Sequence, residues 1–316
     1  MDHGFRRRLR SAADRLRAHL PPTVHSPGAA LEERRVLARP AVDPRIYEVR
    51  HEATRDVLAG TGIEIGAGLT PQRLPDGVSC LYLDIRDTAE LTAHFGAEPS
   101  YDVHSPEGAR RLLPGGADFL IAHNVLEHSP DPIATLRTWH SYLRDGGTVV
   151  LSIPDKNHCP RDSMRLVPPL EHLLLDHLLS RGESAFESKE HIYSFLLGWH
   201  ECIHPDDDKA SYIYHCLSEA QRSGHDLHWH ALDREVSEAI VKLSALLSGV
   251  DVKDVTIYDT TTPQLTTFGE LIMVYTITRS QDAYGDYVRS IFPEVRQFMA
   301  KVGAISGALS VLTMRD

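Results

Sequence analysis

The sequence predicts an α/β fold, a doubly wound and mostly parallel sheet of seven strands with a mainly helical insertion after the fifth. Two observations carry this. Short apolar runs alternate with helical patterns, as 62–66, 80–85, 118–124 and 147–154 do with 87–95 and 131–143 between them. Such alternation is the signature of parallel strands covered on both faces by crossover helices. Late in the chain, two further runs, 252–260 and 269–277, have the length and β-branched content of strands, and the last is expected to insert antiparallel beside the parallel set.

The elements follow in order. Residues 2–20 are basic with a thin apolar stripe, which predicts a surface helix packed on the domain or on a dimer mate; a homodimer is compatible with it. Residues 31–59 read as helical pieces broken at Pro40 and Pro44, so 1–59 forms an N-terminal helical segment. The sheet core spans 60–154, with a short third strand expected at 100–104. Residues 155–235, rich in His, Asp, Leu and Trp, do not alternate and read as a helical insertion. Residues 236–316 complete the sheet and add a terminal helix.

Composition narrows the function. A net charge of −11 over 316 residues disfavours a nucleic-acid surface, and no run of 18 apolar residues predicts a membrane span. Cys80, Cys159, Cys202 and Cys216 form no CxxC pair, the pattern of reduced thiols in a cytoplasmic protein. The expected partner is a small molecule.

The first strand ends in "GIEIGAGLTPQRLP" (62–75), with Glu64 just ahead of Gly66, Ala67 and Gly68. Glycines here allow a tight turn and close approach of a ligand to the backbone. Pro71 and Pro75 prevent a helix from starting at once, which weakens a phosphate-binding reading. Asp84 ends the second strand, where a carboxylate can accept both hydroxyls of a ribose; the competing role is N-cap of the next helix.

The stretch "DFLIAHNVLEHSPDPIATLRTWHSYLRDGGTVVLSIPDK" (118–156) resembles motifs IV to VI of class I S-adenosylmethionine-dependent methyltransferases, and "GIEIGAG" and "LYLD" are similar to their motif I and ribose-binding acid. The resemblance implies a Rossmann-like fold, S-adenosylmethionine as cofactor and methyl transfer to a small polar acceptor. It assigns Gly66, Ala67 and Gly68 to the amino acid head of the cofactor, Glu64 to orienting that region and Asp84 to the ribose. Asp102 or His104 falls near the adenine, and Ala122, His123 and Asn124 line the methionine side. A narrower likeness, through "PLEHLLLDH" and the pair His228 and His230, is to a bacterial subgroup associated with glycan or secondary-metabolite biosynthesis. That subgroup reads close to PDKRYTFDRxRPLT after the fifth strand, where this chain has "PDKNHCPRDSMRLVPP". Asp155, Lys156, Asp162 and Arg165 fit the pattern and, with His228 and His230, are the expected acceptor contacts; the aromatic pair and the Thr are missing.

A hydroxyl acceptor needs a general base, and His158 and His128 are the candidates. The 19 histidines raise a separate question. His200 and His204 have one-turn spacing and, with His228 and His230, are of a type that could build a metal site; "HECIH" also matches the HExxH pattern of zinc hydrolases. No third ligand follows at hydrolase spacing, so no metal is expected and these imidazoles read as core and surface residues. A non-catalytic cofactor-binding module is the other alternative.

Overall fold

In the computed structural model, the described residues are 43–159, 161–178, 191, 194–198, 200, 208–209, 227–263, 265, 269–281, 285–286 and 288. The basic helix expected at 2–20, His204 and the terminal helix lie outside them. Residues 42–316 cluster as one unit.

The unit opens with helix α1 (Arg45–Thr54). Strands β1 (Thr61–Ile65), β2 (Ser79–Leu83), β3 (Val103–His104), β4 (Ala117–His123) and β5 (Leu143–Pro154) follow, all parallel to one another. Then come β6 (Val250–Tyr258) and β7 (Glu270–Arg279), giving the order β3-β2-β1-β4-β5-β7-β6. Strand β7 lies antiparallel between β5 and β6, as its length suggested. The seven-stranded α/β sheet is therefore that expected. Strand β3 is shorter than the run 100–104: Tyr101 stacks on Tyr82 at 4.2 Å and donates its hydroxyl proton to Gly68 O at 2.7 Å.

The crossover helices start at side-chain caps. Helix α2 (Thr88–Phe95) has a capping box of Asp87 and Glu90 and stops at Gly96 in the left-handed region. Helix α3 (Pro106–Leu112) is capped by Ser105, α4 (Pro132–His140) by Asp131, and α6 (Arg234–Ser248) by Asp233. Between them in sequence, α5 (Leu170–Leu178) lies in the insertion.

Alternation along β4 divides the core. Leu120 and Ala122 face α4 and α6 through Leu136, Trp139, Ile240 and Ala245, whereas Phe119 and Ile121 face the other layer, where Ile46 of α1 packs. Gly62 has no side chain because the fully buried Phe119 ring fills its place; a Cβ there would lie 2.1 Å from the ring. Among the described residues no helix is long and apolar enough to cross a membrane.

Candidate active site

The sheet order reverses between β1 and β4, and ligands of such sheets bind beyond the carboxyl ends of the strands at this switch point. The loops after β1 and β4 touch there: a Cβ on Gly66 would lie 2.7 Å from Val125 Cγ2. Gly66 and Gly68 have φ of +68° and +61°, so the turn requires glycine, and no helix follows it.

Glu64 explains why an acid precedes this turn. It is 1% exposed and both its oxygens accept from the Gln72 backbone N–H at 3.0 Å, which folds the loop back over β1. Gln72 in turn donates to Thr54 of α1 at 3.0 Å, and its Oε1 meets His123 Nε2 at 3.1 Å. His123 Nδ1 lies 2.7 Å from Ser152 Oγ of β5. Burial holds the His123 imidazole well below its usual range, so it is neutral.

Burial also pushes Glu64 up to about 7, with the Gln72 amide and Arg50 opposing the rise. The folded state then holds a proton that the unfolded chain releases between roughly pH 4.5 and pH 7. This contribution to stability is complete below pH 4.5 and is lost as pH approaches 7, up to about 3 kcal/mol. Glu64→Gln is expected to flatten stability across that window in urea unfolding, and an unchanged slope would reject the assignment.

Asp84 follows β2 and is half-buried. Its Oδ1 accepts from Arg86 N at 2.9 Å, and Oδ2 has no hydrogen bond among the described residues. The capping role belongs to Asp87, which leaves Asp84 open to a ligand. Asp102 is exposed and precedes β3, beside the half-buried His104. Asn124 is held at φ +53° just past β4, with its backbone N bonded to Ser152 O at 2.9 Å. Its Nδ2 donates to Glu270 at 2.8 Å, and Glu270 pairs with Arg50 of α1. Glycines, an open carboxylate and a polar strand tip around one crevice fit a cofactor with an amino acid head and a ribose.

The expected acceptor contacts divide. His158 is 45% exposed, and its Nδ1 lies 3.0 Å from Asp155 Oδ2, an imidazole oriented by a carboxylate at the carboxyl end of β5. A groove of about 540 Å³ begins at Asp155 and Asn157 and continues along Arg234 and Glu238. Lys156 is half-buried, and its backbone N bonds Leu232 O at 2.8 Å. Asp162, Arg165 and His228 form a network of their own. They are buried and bond one another, Arg165 Nη1 to Asp162 at 2.7 Å and His228 Nδ1 to Asp162 at 2.7 Å, and so clamp the loop. His230 is buried against Asp176. His228 and His230 therefore reach two different carboxylates, not one shared ligand. His128 Nδ1 meets Leu227 O at 3.0 Å and anchors the end of the insertion.

Glu127 was not singled out from the sequence. It is 2% exposed, both its oxygens are buried without a hydrogen-bond partner, and burial, with Asp162 and Glu270 nearby, raises it well above the usual carboxylate range. Burial thus favours its protonated form. Its position in "NVLEH" gave no sign of that depth.

The fold is that of the class I S-adenosylmethionine-dependent methyltransferases, and the chain resembles them. Residues 42–197, just under half of the chain, match the family described as a methyltransferase domain. Among curated proteins, the chain is 29% identical to a ubiquinone biosynthesis O-methyltransferase of Pseudomonas paraeruginosa (strain DSM 24068 / PA7), over 41% of this chain and 58% of that protein. It is 32% identical to one of Pseudomonas aeruginosa (strain LESB58), over 40% and 46%. The chain thus spans about half the length of the curated relatives it matches. A solved plantazolicin methyltransferase, BamL, is similar over 75% of this chain and 85% of its own at 12% identity and a TM-score of 0.37. The CurJ carbon methyltransferase is similar over 72% and 51% at 14% and 0.35. Likenesses so distant carry no weight for activity.

Proposed function

We propose that the protein transfers a methyl group from S-adenosylmethionine to an oxygen or nitrogen of a small polar metabolite or sugar. The Asp155–His158 pair just past the carboxyl end of β5 carries this reading. In it, Gly66, Ala67 and Gly68 hold the amino acid head of the cofactor, Asp84 the ribose, and Asp102 the adenine side. Glu64 fixes the turn by binding Gln72, and His123 and Asn124 shape the methionine side through Ser152 and Glu270.

The bound cofactor supplies an electrophilic methyl carbon, so orientation of the acceptor is the main task left to the protein. Asp155 accepts the Nδ1 proton of His158 and leaves Nε2 as the base. A hydroxyl acceptor loses its proton to that nitrogen; an amine needs only to be held as the neutral form. The O-methyltransferase names of the curated relatives favour oxygen. The groove at Asp155 and Asn157, with charges of both signs, suits a polar acceptor.

The test is calorimetric titration with S-adenosylmethionine and its demethylated product, followed by turnover on a panel of phenols, sugars and amines. Micromolar binding with turnover is expected. His158→Ala should lower turnover by about 10²-fold or more and leave cofactor affinity intact. Binding without any turnover would point to a non-catalytic module, and no binding would overturn the reading.

A further inference from the structure

Helix α5 carries His172 and Asp176 one turn apart, and His191 and His230 meet them there. Asp176 Oδ2 lies 3.2 Å from His172 Nε2, 3.5 Å from His191 Nε2 and 3.3 Å from His230 Nε2. His172 Nε2 and His191 Nε2 are 3.0 Å apart. Asp176 and His230 are fully buried, His191 is 12% exposed and His172 32%.

Hydrogen bonding alone explains this cluster badly. Three imidazoles compete for one carboxylate oxygen, which has two lone pairs. If the facing Nε2 atoms of His172 and His191 both carried protons, they would repel at 3.0 Å. A cation at the centre removes the conflict, because each group then presents a lone pair. The spacing agrees: a tetrahedral ion with bonds of about 2.0–2.1 Å sets its ligand atoms about 3.3–3.4 Å apart.

We propose that His172, Asp176, His191 and His230 bind a divalent transition metal, with zinc the best fit to three imidazoles and one carboxylate. Four protein ligands leave no open position, so the ion is structural. It ties α5 and the position of His191 to the segment 227–232. That segment is itself bonded to the sheet edge through Trp229 N to Glu127 O at 2.8 Å and Lys156 N to Leu232 O at 2.8 Å. The ion therefore fixes the insertion against the core. This site is separate from the Asp155–His158 pair and does not rest on methyl transfer.

Metal content of the full chain, purified without chelator from zinc-supplemented medium, tests the site. About one equivalent of zinc is expected, and cobalt(II) in its place should give the strong visible absorption of a tetrahedral site. His172→Ala, the least buried ligand, and His191→Ala should each weaken retention at least about tenfold. His228→Ala, in the neighbouring Asp162 network, should retain the ion. Protein without stoichiometric zinc and without a cobalt spectrum would overturn the proposal. So would loss of metal in His228→Ala with retention in His172→Ala, since the ion would then sit by Glu127, His128 and His228. Titration with S-adenosylmethionine on the same samples separates this result from the fate of the cofactor site.

Discussion

Arg50→Ala is expected to destabilise the protein by about 3–5 kcal/mol, because it leaves a buried carboxylate without its counter-charge. Arg50 and Glu270 are each about 6% exposed. Arg50 Nη2 meets Oε1 at 2.5 Å and Nε meets Oε2 at 3.2 Å, a two-pronged pair between α1 and the first residue of β7. Glu270 is bonded also to Asn124, so the damage reaches the tip of β4. Replacing both partners with methionine should recover most of the loss, since the cost lies in the orphaned charge. Urea unfolding of both variants measures this. A single-variant loss within about 0.5 kcal/mol would mean that water reaches the pair.

Asp162→Ala is the second large effect, again about 3–5 kcal/mol. Arg165 Nη1 binds Asp162 at 2.7 Å and His228 O at 2.9 Å, and Nη2 binds Trp229 O at 3.0 Å. Burial alone would raise Asp162, but His228 and Arg165 outweigh it and hold the carboxyl below its ordinary range. Burial keeps His228 neutral, and it donates its Nδ1 proton to Asp162. Alanine removes the only charge facing the guanidinium among the described residues and releases the end of the insertion. Cofactor affinity should change little, while turnover falls with the position of the acceptor side. Equal loss of both would show that the clamp serves the whole domain.

The sheet was legible because its strands are apolar runs bounded by turn residues, and β7 because its run was long. Strand β3 was overread because "SYDVH" has strand composition, whereas Tyr101 finds a better partner in the Tyr82 ring. Asp84 stood out by its position at a strand tip, and only the structure shows that Asp87 has the capping role. The charged residues after β5 are expected from the sequence to meet an acceptor. Their charges were visible in sequence, but their mutual satisfaction was not. Glu127 was missed for the same reason: nothing local to a carboxylate records its depth. His172 and Asp176 show helical spacing within "PLEHLLLDH", yet their partners at 191 and 230 are brought in by tertiary folding, which spacing cannot reveal.

The backbone bond from Lys156 to Leu232 brings together two points that are 76 residues apart in the chain, just inside the entry and exit of the insertion. A segment whose ends already meet can lengthen, shorten or be exchanged with little strain on what carries it, and added length raises the closure cost only slowly. The sheet and its crevice can therefore stay constant while the excursion between these points diverges. On this architecture one cassette can be replaced while the sheet and the loops at its carboxyl end are left untouched.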